Sequence, residues 1–183
     1  MPPIPPEQMT EAQRAAAAAL VAGPRGAVFG PFVPLLRSPE LMDRLQKVGE
    51  YLRFRSALGQ RLTELAILWV ARRYTQQVEW AIHEPLARRS GVAPEAIAAL
   101  AEGRRPVGLA DDEAAACDLL EELWANGSVG DATYQRALVV LGERGIVDLL
   151  GLAGYYGLLS LVMNVARTPV PDGAPEPLER FPR

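Results

Sequence analysis

The chain has 183 residues, of which 49% are hydrophobic and 22% charged, a composition that indicates a globular protein with a sizeable core and excludes a disordered chain. Its 19 basic and 22 acidic residues give a formal net charge of −3, so it lacks the basic surplus with which proteins wrap nucleic acid. It has one cysteine, Cys117, and one histidine, His83. These exclude an intrachain disulfide and do not supply the several nitrogen or sulfur ligands that a transition-metal site usually needs.

Prolines are concentrated at both ends of the chain, within residues 2–6 and 169–182. Proline disfavours helix and favours extended chain. We therefore predict an N-terminal arm at 1–9 and a C-terminal arm at 169–183, both lying over a single domain at 10–168 or over a neighbouring subunit. The first residues lack the basic and apolar regions of a secretory signal, and a single cysteine fits a reducing compartment, so we expect a cytoplasmic protein.

Between the arms the pattern is helical throughout, and it predicts an all-α bundle of about seven or eight helices. The first helix begins at a capping box formed by Thr10 and Gln13 and ends at Gly23. An apolar loop over 23–39 follows and is expected to pack against the body. The remaining predicted helices follow Ser38 and Pro39, and then cover about 60–73, 76–89, 94–102, 111–125, 131–144 and 146–167.

A proline inside the helix predicted over 76–89 affects the shape of that helix. Pro85 cannot donate a hydrogen bond to Ala81 and is predicted to kink its helix just after His83.

The uncharged segment 149–166 is about as long as a bilayer-spanning helix. Because it contains several glycines, a serine and an asparagine, we interpret it as a buried or subunit-interface helix and expect no membrane span.

A candidate site for acid/base chemistry involves His83, which lies four residues after Glu79. On a helix this spacing places the imidazole and the carboxylate on one face. A third ionisable residue, Glu64, lies within the apolar run 62–70, where a charge is unusual, and is a candidate to join them. Apolar neighbours favour partial burial of the pair, which would shift its proton affinity. The alternative is a surface pair that contributes about 0.2–0.5 kcal/mol to the helix.

The segments RLTELAILWVAR at 61–72 and EWAIHEPLA at 79–87 resemble the carboxymuconolactone decarboxylase family, whose fold is shared with alkylhydroperoxidase D. The likeness extends from the GPFVPLL loop at 30–36 to Gly91 and Val92, and more loosely to the helix over 155–164. The resemblance implies an alkylhydroperoxidase D-like helical bundle. It also implies trimers or hexamers, so we expect a homo-oligomer.

The peroxidase branch of this fold carries a Cys-x-x-Cys pair before the histidine and a glutamate in the preceding helix. In this chain His83 matches the histidine and Glu64 the glutamate, while Gln76 and Glu79 occupy the cysteine positions. Neither can form a disulfide, so we expect no thiol peroxidase activity. Cys117, far along the chain among alanines, is interpreted as a small buried residue.

The decarboxylase branch is more similar, and it implies a lyase that needs neither cofactor nor metal and acts on a small cyclic acid or lactone. The resemblance makes His83 the acid/base, Glu79 its orienting partner and Glu64 a second carboxylate. Trp80 and Tyr74 are candidate walls of the substrate pocket. The candidates for binding a substrate carboxylate are four nearby arginines, Arg72, Arg73, Arg88 and Arg89.

A second hypothesis remains open beside the enzyme. The chain would be a non-enzymatic helical oligomer that keeps the fold as a binding scaffold, with Glu64, Glu79 and His83 as a leftover buried network. A peroxidase or antioxidant label would then be inherited from the family. Loss of turnover on substitution of His83 and Glu79 separates the two hypotheses.

Overall fold

The fold is all-α, as the sequence predicted. The computed structural model describes residues 1–174, 178 and 179, and within these the chain forms eight α-helices and no β-strand. The helices are α1 (Glu11–Ala22), α2 (Phe32–Leu35), α3 (Pro39–Phe54), α4 (Gly59–Arg73), α5 (Gln77–Arg89), α6 (Pro94–Ala101), α7 (Asp111–Asn126) and α8 (Asp131–Ala166).

Helix α4 is the central element of the bundle. It packs against α3, α5, α6, α7 and α8, and every residue from Leu62 to Arg72 is buried. The middle of α4, from Leu65 to Ala71, is apolar on all sides, which is typical of a helix inside a core. The position of α4 therefore brings its charged side chains, Glu64 among them, into the interior of the protein.

The segment between α1 and α3 packs against the core, as its apolar composition predicted. It is not entirely a loop, because α2 forms one short helix within it. Phe32, Leu35 and Leu36 are buried there. This arrangement brings the residues before α2 close to α3 and α8, where the candidate site lies.

The long helix α8 is interrupted at Gly142, whereas the sequence predicted a turn at Gly145. Gly142 has φ 69° and ψ 169°, a conformation that essentially only glycine adopts without strain. Gly145 is helical and buried. Because both residues are glycines near the junction of two apolar segments, composition alone does not show which one leaves the helix.

Helix α5 continues through Pro85 to Arg89. Pro85 has no N–H group to donate to Ala81, but the helix does not end there. The predicted bend just after His83 stays a prediction.

The N-terminal arm contacts the body of the protein. Arg37 donates a hydrogen bond to the carbonyl of Pro2 at 2.8 Å, and the terminal amino group of Met1 donates to the carbonyl of Ala166. A short 3-10 turn covers Pro6–Gln8. The division of the chain into an arm at 1–9 and a domain from residue 10 stays a prediction.

The described part of the C-terminal arm lies against the start of α5. The side chain of Gln77 donates to the carbonyl of Leu178 and accepts from its N–H, both at 2.8 Å. Leu178 is buried. The rest of the predicted arm, at 175–177 and 180–183, lies outside the described residues.

Among the described residues, α8 is the one helix long and apolar enough to cross a membrane. Its most apolar window has a mean hydropathy of 1.7, and 56% of that window is buried in the protein. A buried core helix passes the same test, so this finding supports a membrane span only weakly. The outer face of α8 is nevertheless apolar, with Val147, Leu161 and Val165 exposed.

The break in α8 predicts opposite effects for two glycine-to-alanine substitutions. Gly142→Ala should lower the free energy of unfolding by about 1–3 kcal/mol, because a Cβ is strained at this φ and ψ although space is open. Gly154→Ala, in the same helix with open space and no positive φ, should raise it by about 0.5–1 kcal/mol. Urea unfolding measures both, and equal effects would contradict the break at Gly142.

Candidate active site

A tight corner between α4 and α5 positions the site. Thr75 adopts a left-handed conformation with φ 47°, and the N–H of Gln76 donates to the carbonyl of Ala71 at 2.8 Å. This pattern closes the end of α4. A β-branched residue is strained in the left-handed region, so packing on both sides must hold the corner in place.

Gln76 caps α5 and ties it to α8. Its Oε1 accepts hydrogen bonds from the N–H groups of Val78 at 2.6 Å and Glu79 at 3.1 Å, and its Nε2 donates to Asn164 Oδ1 at 2.9 Å. Gln76 therefore has a structural role. This role was not predicted, because glutamine is not among the preferred N-cap residues.

The structure brings Glu64, Glu79 and His83 together. Glu64 extends from α4, while Glu79 and His83 extend from one face of α5. His83 Nδ1 lies 2.6 Å from Glu64 Oε2, and His83 Nε2 lies 3.4 Å from Glu79 Oε2. The three residues are 1%, 3% and 2% exposed, in chain order. The imidazole thus lies between two carboxylates in the interior, and the catalytic role of the three stays a prediction.

The two carboxylates hold the imidazole unequally. The sequence analysis assigned the orienting role to Glu79, since helix spacing reveals a neighbour four residues away. The short contact is instead made by Glu64, which reaches His83 from the adjacent helix. Sequence spacing within one helix gives no distance to another helix, so the closer partner was not identifiable from the pattern.

The pKa of His83 is raised above its ordinary value of 6.5. Burial by itself would lower it, because a charged imidazolium loses its hydration in the interior. Hydrogen bonds and negative charge from Glu64 and Glu79 outweigh this effect. His83 therefore favours the imidazolium form, in which both ring nitrogens carry a proton.

A small cavity opens on the Nε2 side of the imidazole. Besides His83 and Glu79, its wall includes four aromatic rings and two guanidinium groups, which belong to Phe29, Phe32, Tyr155, Tyr156, Arg25 and Arg53. The space open to the centre of a water molecule is about 30 Å³. This is room for about two or three waters. Glu64 is not part of the wall, because it lies behind the imidazole ring.

Three buried polar atoms of the cavity residues have no hydrogen-bond partner within residues 1–174 and 178–179. One is Tyr155 Oη, and the two that belong to ionisable groups of opposite charge are Glu79 Oε1 and Arg53 Nε. Leaving a buried polar group unpaired costs about 1–3 kcal/mol, and more when the group is charged. A polar molecule that enters the cavity and binds both atoms would recover this free energy.

Two tyrosines complete the wall. The ring of Tyr156 packs edge-on against His83, with centroids 5.2 Å apart, and Tyr155 packs edge-on against Tyr156 at 5.4 Å. Burial raises the pKa of Tyr155 to about 12 and, together with the charge of Glu79, raises the pKa of Tyr156. Both phenols are therefore neutral hydrogen-bond donors near neutral pH.

The structure does not place the predicted pocket walls, Trp80 and Tyr74, at this cavity. Trp80 is buried in the core, on a different face of α5, because one residue along a helix turns the side chain by about 100°. Tyr74 packs edge-on against Trp124, with centroids 5.5 Å apart.

None of the four predicted arginines lines the cavity either. Arg73 forms an ion pair with Glu121 at 3.1 Å, and Arg88 pairs with Glu84. Arg72 is buried and donates to the backbone carbonyl of Glu179. Arg89 is exposed at the end of α5. The cavity arginines, Arg25 and Arg53, lie earlier in the chain, and no local motif marked them.

Cys117 lies in the core and not at the cavity. Burial, as the largest effect, raises the pKa of its thiol to about 12. The thiol is therefore not ionised near neutral pH, and a buried thiol of this kind is a poor nucleophile.

Part of the site lies in a segment that matches a known protein family. Residues 39–122 match the family described as the Carboxymuconolactone decarboxylase family. The matched range covers Arg53, Glu64, Glu79 and His83, while Arg25, Tyr155 and Tyr156 lie outside it. No curated protein matches the chain.

The raised pKa of His83 can be measured directly, because the chain has no other histidine once any affinity tag is removed. A ¹⁵N NMR titration of the imidazole should give a midpoint above 6.5. Glu64→Gln should lower this midpoint more than Glu79→Gln, since Glu64 makes the shorter contact. Glu84→Gln removes a carboxylate that pairs with Arg88 instead of His83. It is the control and should leave the midpoint nearly unchanged. A wild-type midpoint at or below 6.5 would contradict the prediction.

The same pKa makes stability depend on pH. Below about pH 6.5 His83 is protonated in both the folded and the unfolded chain, so its contribution to stability is fully present. As pH rises from there through the folded-state pKa, the unfolded chain loses the proton first, and the free energy of unfolding should fall. Urea unfolding between pH 6.5 and 8.5 should show this slope, and His83→Asn should flatten it. An unchanged slope in His83→Asn would assign the pH dependence to other groups.

Proposed function

We propose that the protein is a cofactor-independent lyase, because residues 39–122 match the carboxymuconolactone decarboxylase family. It decarboxylates a small cyclic acid or lactone, or transfers a proton on such a ring. The observation that supports this proposal is the buried row of Glu64, His83 and Glu79, with the imidazole exposed to a cavity on one side only.

The chemistry of decarboxylation matches what His83 offers. When the bond between the ring carbon and the carboxylate breaks, carbon dioxide leaves and the bonding electrons enter a conjugated carbonyl as an enolate. A proton must then return to carbon, and a nearby imidazolium is a suitable donor. His83 can give this proton from Nε2, since its Nδ1 is covered by Glu64.

The neighbouring groups have separate roles in the proposal. Glu79 favours the imidazolium before the reaction, and its unpaired Oε1 can accept a hydrogen bond from the substrate or from a water that restores the proton. The neutral phenols of Tyr155 and Tyr156 can donate to the developing enolate oxygen. Preorganised donors of this kind stabilise charge that appears only during the reaction.

We also propose that the enzyme acts in the cytoplasm as a homo-oligomer, a trimer or hexamer as the family resemblance implies. The exposed apolar face of α8, with Val147, Leu161 and Val165, supports assembly. No nucleic acid or membrane is part of the proposal, and the partner at the cavity is a small molecule.

The proposal predicts large kinetic effects from two conservative substitutions. With 4-carboxymuconolactone as the first substrate tested, and other cyclic lactone acids after it, His83→Asn and Glu79→Gln should each lower carbon dioxide release by about a hundredfold or more. Glu84→Gln, which removes the carboxylate paired with the exposed Arg88 and absent from the cavity wall, should stay within about twofold of wild type. Cys117→Ser should also retain activity.

Two outcomes would contradict the enzyme hypothesis. One is full turnover by folded His83→Asn and Glu79→Gln variants, and the other is the absence of turnover by the wild-type protein across the panel of lactone acids. Either result would favour the alternative, a non-enzymatic helical oligomer that uses this fold as a binding scaffold.

A further inference from the structure

The cavity contains two guanidinium groups that the proposed chemistry has not used. Arg53 extends from the last turn of α3, and Arg25 from the segment after α1. Both line the same cavity as His83 and Glu79. They reach it from separate elements, while His83 and Glu79 both extend from α5, so the wall combines an acidic and imidazole pair with two basic groups.

Both guanidinium groups lack an ionic partner. Among the described residues no carboxylate lies within 4 Å of Arg25 or Arg53, whereas Arg55, two residues further along, forms an ion pair with Glu50 at 3.1 Å. The Nε of Arg53 is buried without any hydrogen-bond partner. An anion at the cavity would supply the acceptor that this group lacks.

Other contacts hold Arg25 in place. Its Nη1 donates to the backbone carbonyl of Gln46 at 3.1 Å, and its guanidinium lies 4.9 Å from the centre of the Phe32 ring. A Cβ on Gly49 would stand 2.7 Å from Arg25 Nη2 and 2.2 Å from Tyr155 Oη. Gly49 therefore leaves room for the arginine and the tyrosine to approach α3 together, which orients Arg25 toward the cavity wall.

The charges around the cavity leave a positive excess. With His83 as imidazolium, Glu64 and Glu79 contribute two negative charges against three positive charges from His83, Arg25 and Arg53. Arg25 and Arg53 are half-buried, so solvent screens part of this charge. The remaining positive excess favours the binding of an anion over a neutral molecule.

We propose that Arg25 and Arg53 bind the carboxylate of the ligand, so that the cavity selects carboxylates over neutral molecules of the same shape. Guanidinium groups suit this task, because their planar donors match the two oxygens of a carboxylate. The binding step stands on the cavity alone, and only the identification of the bound acid as a substrate rests on the proposed function. The carboxylate would lie opposite His83, with the rest of the molecule between them.

The size of the cavity sets the choice of probes. Space for two or three waters admits acetate, while the ring of benzoate requires the Phe29 side chain, which is 39% exposed, to move aside. Acetamide and benzamide have nearly the same shapes without the charge. Because the chain has a single histidine, the His83 imidazole resonances report binding next to the site without assignment of other signals.

The experiment titrates the full-length protein with these four compounds at constant ionic strength and pH. Acetate and benzoate should shift the His83 resonances saturably, and the two amides should not. Arg53→Gln should weaken benzoate binding by at least about tenfold, as expected from the loss of a charge-assisted hydrogen bond. The benzoate affinity of Arg53→Lys should lie between those of wild type and Arg53→Gln. Arg25→Gln should also weaken benzoate binding. Arg55→Gln, an exposed arginine paired elsewhere, is the matched control and should stay within about twofold.

Two results would overturn the proposal. One is benzamide binding as tightly as benzoate, and the other is unchanged benzoate binding in both Arg53→Gln and Arg25→Gln. Circular dichroism of each variant checks folding, and Arg53→Lys keeps the test valid if Arg53→Gln is unstable. Binding is measured without turnover, so the two proposals can fail separately. If His83→Asn loses activity but Arg53→Gln binds anions normally, the proposed function is retained and this role for the arginines is excluded.

Discussion

The burial of Glu64 against His83 is the interaction on which the rest of the site depends. An isolated charge in a protein interior is costly by several kcal/mol, and a partner at hydrogen-bond distance offsets that cost only when the geometry is good. The 2.6 Å contact joins α4 to α5, so it fixes the register of the two helices. The surrounding packing must preserve this register, because a shift of one helix would leave a carboxylate buried without its partner.

The corner between the two helices meets this requirement through Gln76, the N-cap of α5. The Gln76 side chain satisfies two N–H groups at the start of α5 and reaches Asn164 on α8. It thereby holds Glu79 in the first turn of α5, where the helix dipole favours a carboxylate. The cap thus places the Glu79 carboxylate beside His83, on the same face of α5.

The sequence predicted the parts of this structure that depend on local pattern. Helical periodicity gave the bundle, and a lone charge in the apolar run of α4 identified Glu64 as a member of the interior cluster. Contacts between distant segments were not predictable in this way, since Arg25, Arg53 and Tyr155 meet at the cavity from three separate elements. Proximity in sequence was also misleading, because Trp80 follows Glu79 directly yet lies on another face of the helix.

Glu64 and Glu79 contact different nitrogens of the imidazole at different distances, so the two carboxylates affect the ring differently. Glu64 covers Nδ1 at 2.6 Å and has no access to the cavity, so Nδ1 keeps its proton whether His83 is charged or neutral. The neutral ring is then held as the tautomer whose Nε2 is free to accept. Glu79 stands 3.4 Å from Nε2, a distance too long for a strong hydrogen bond, and its second oxygen has no partner among the described residues. Any proton exchange at His83 is therefore expected at Nε2, and the ring needs no reorientation between its two charge states.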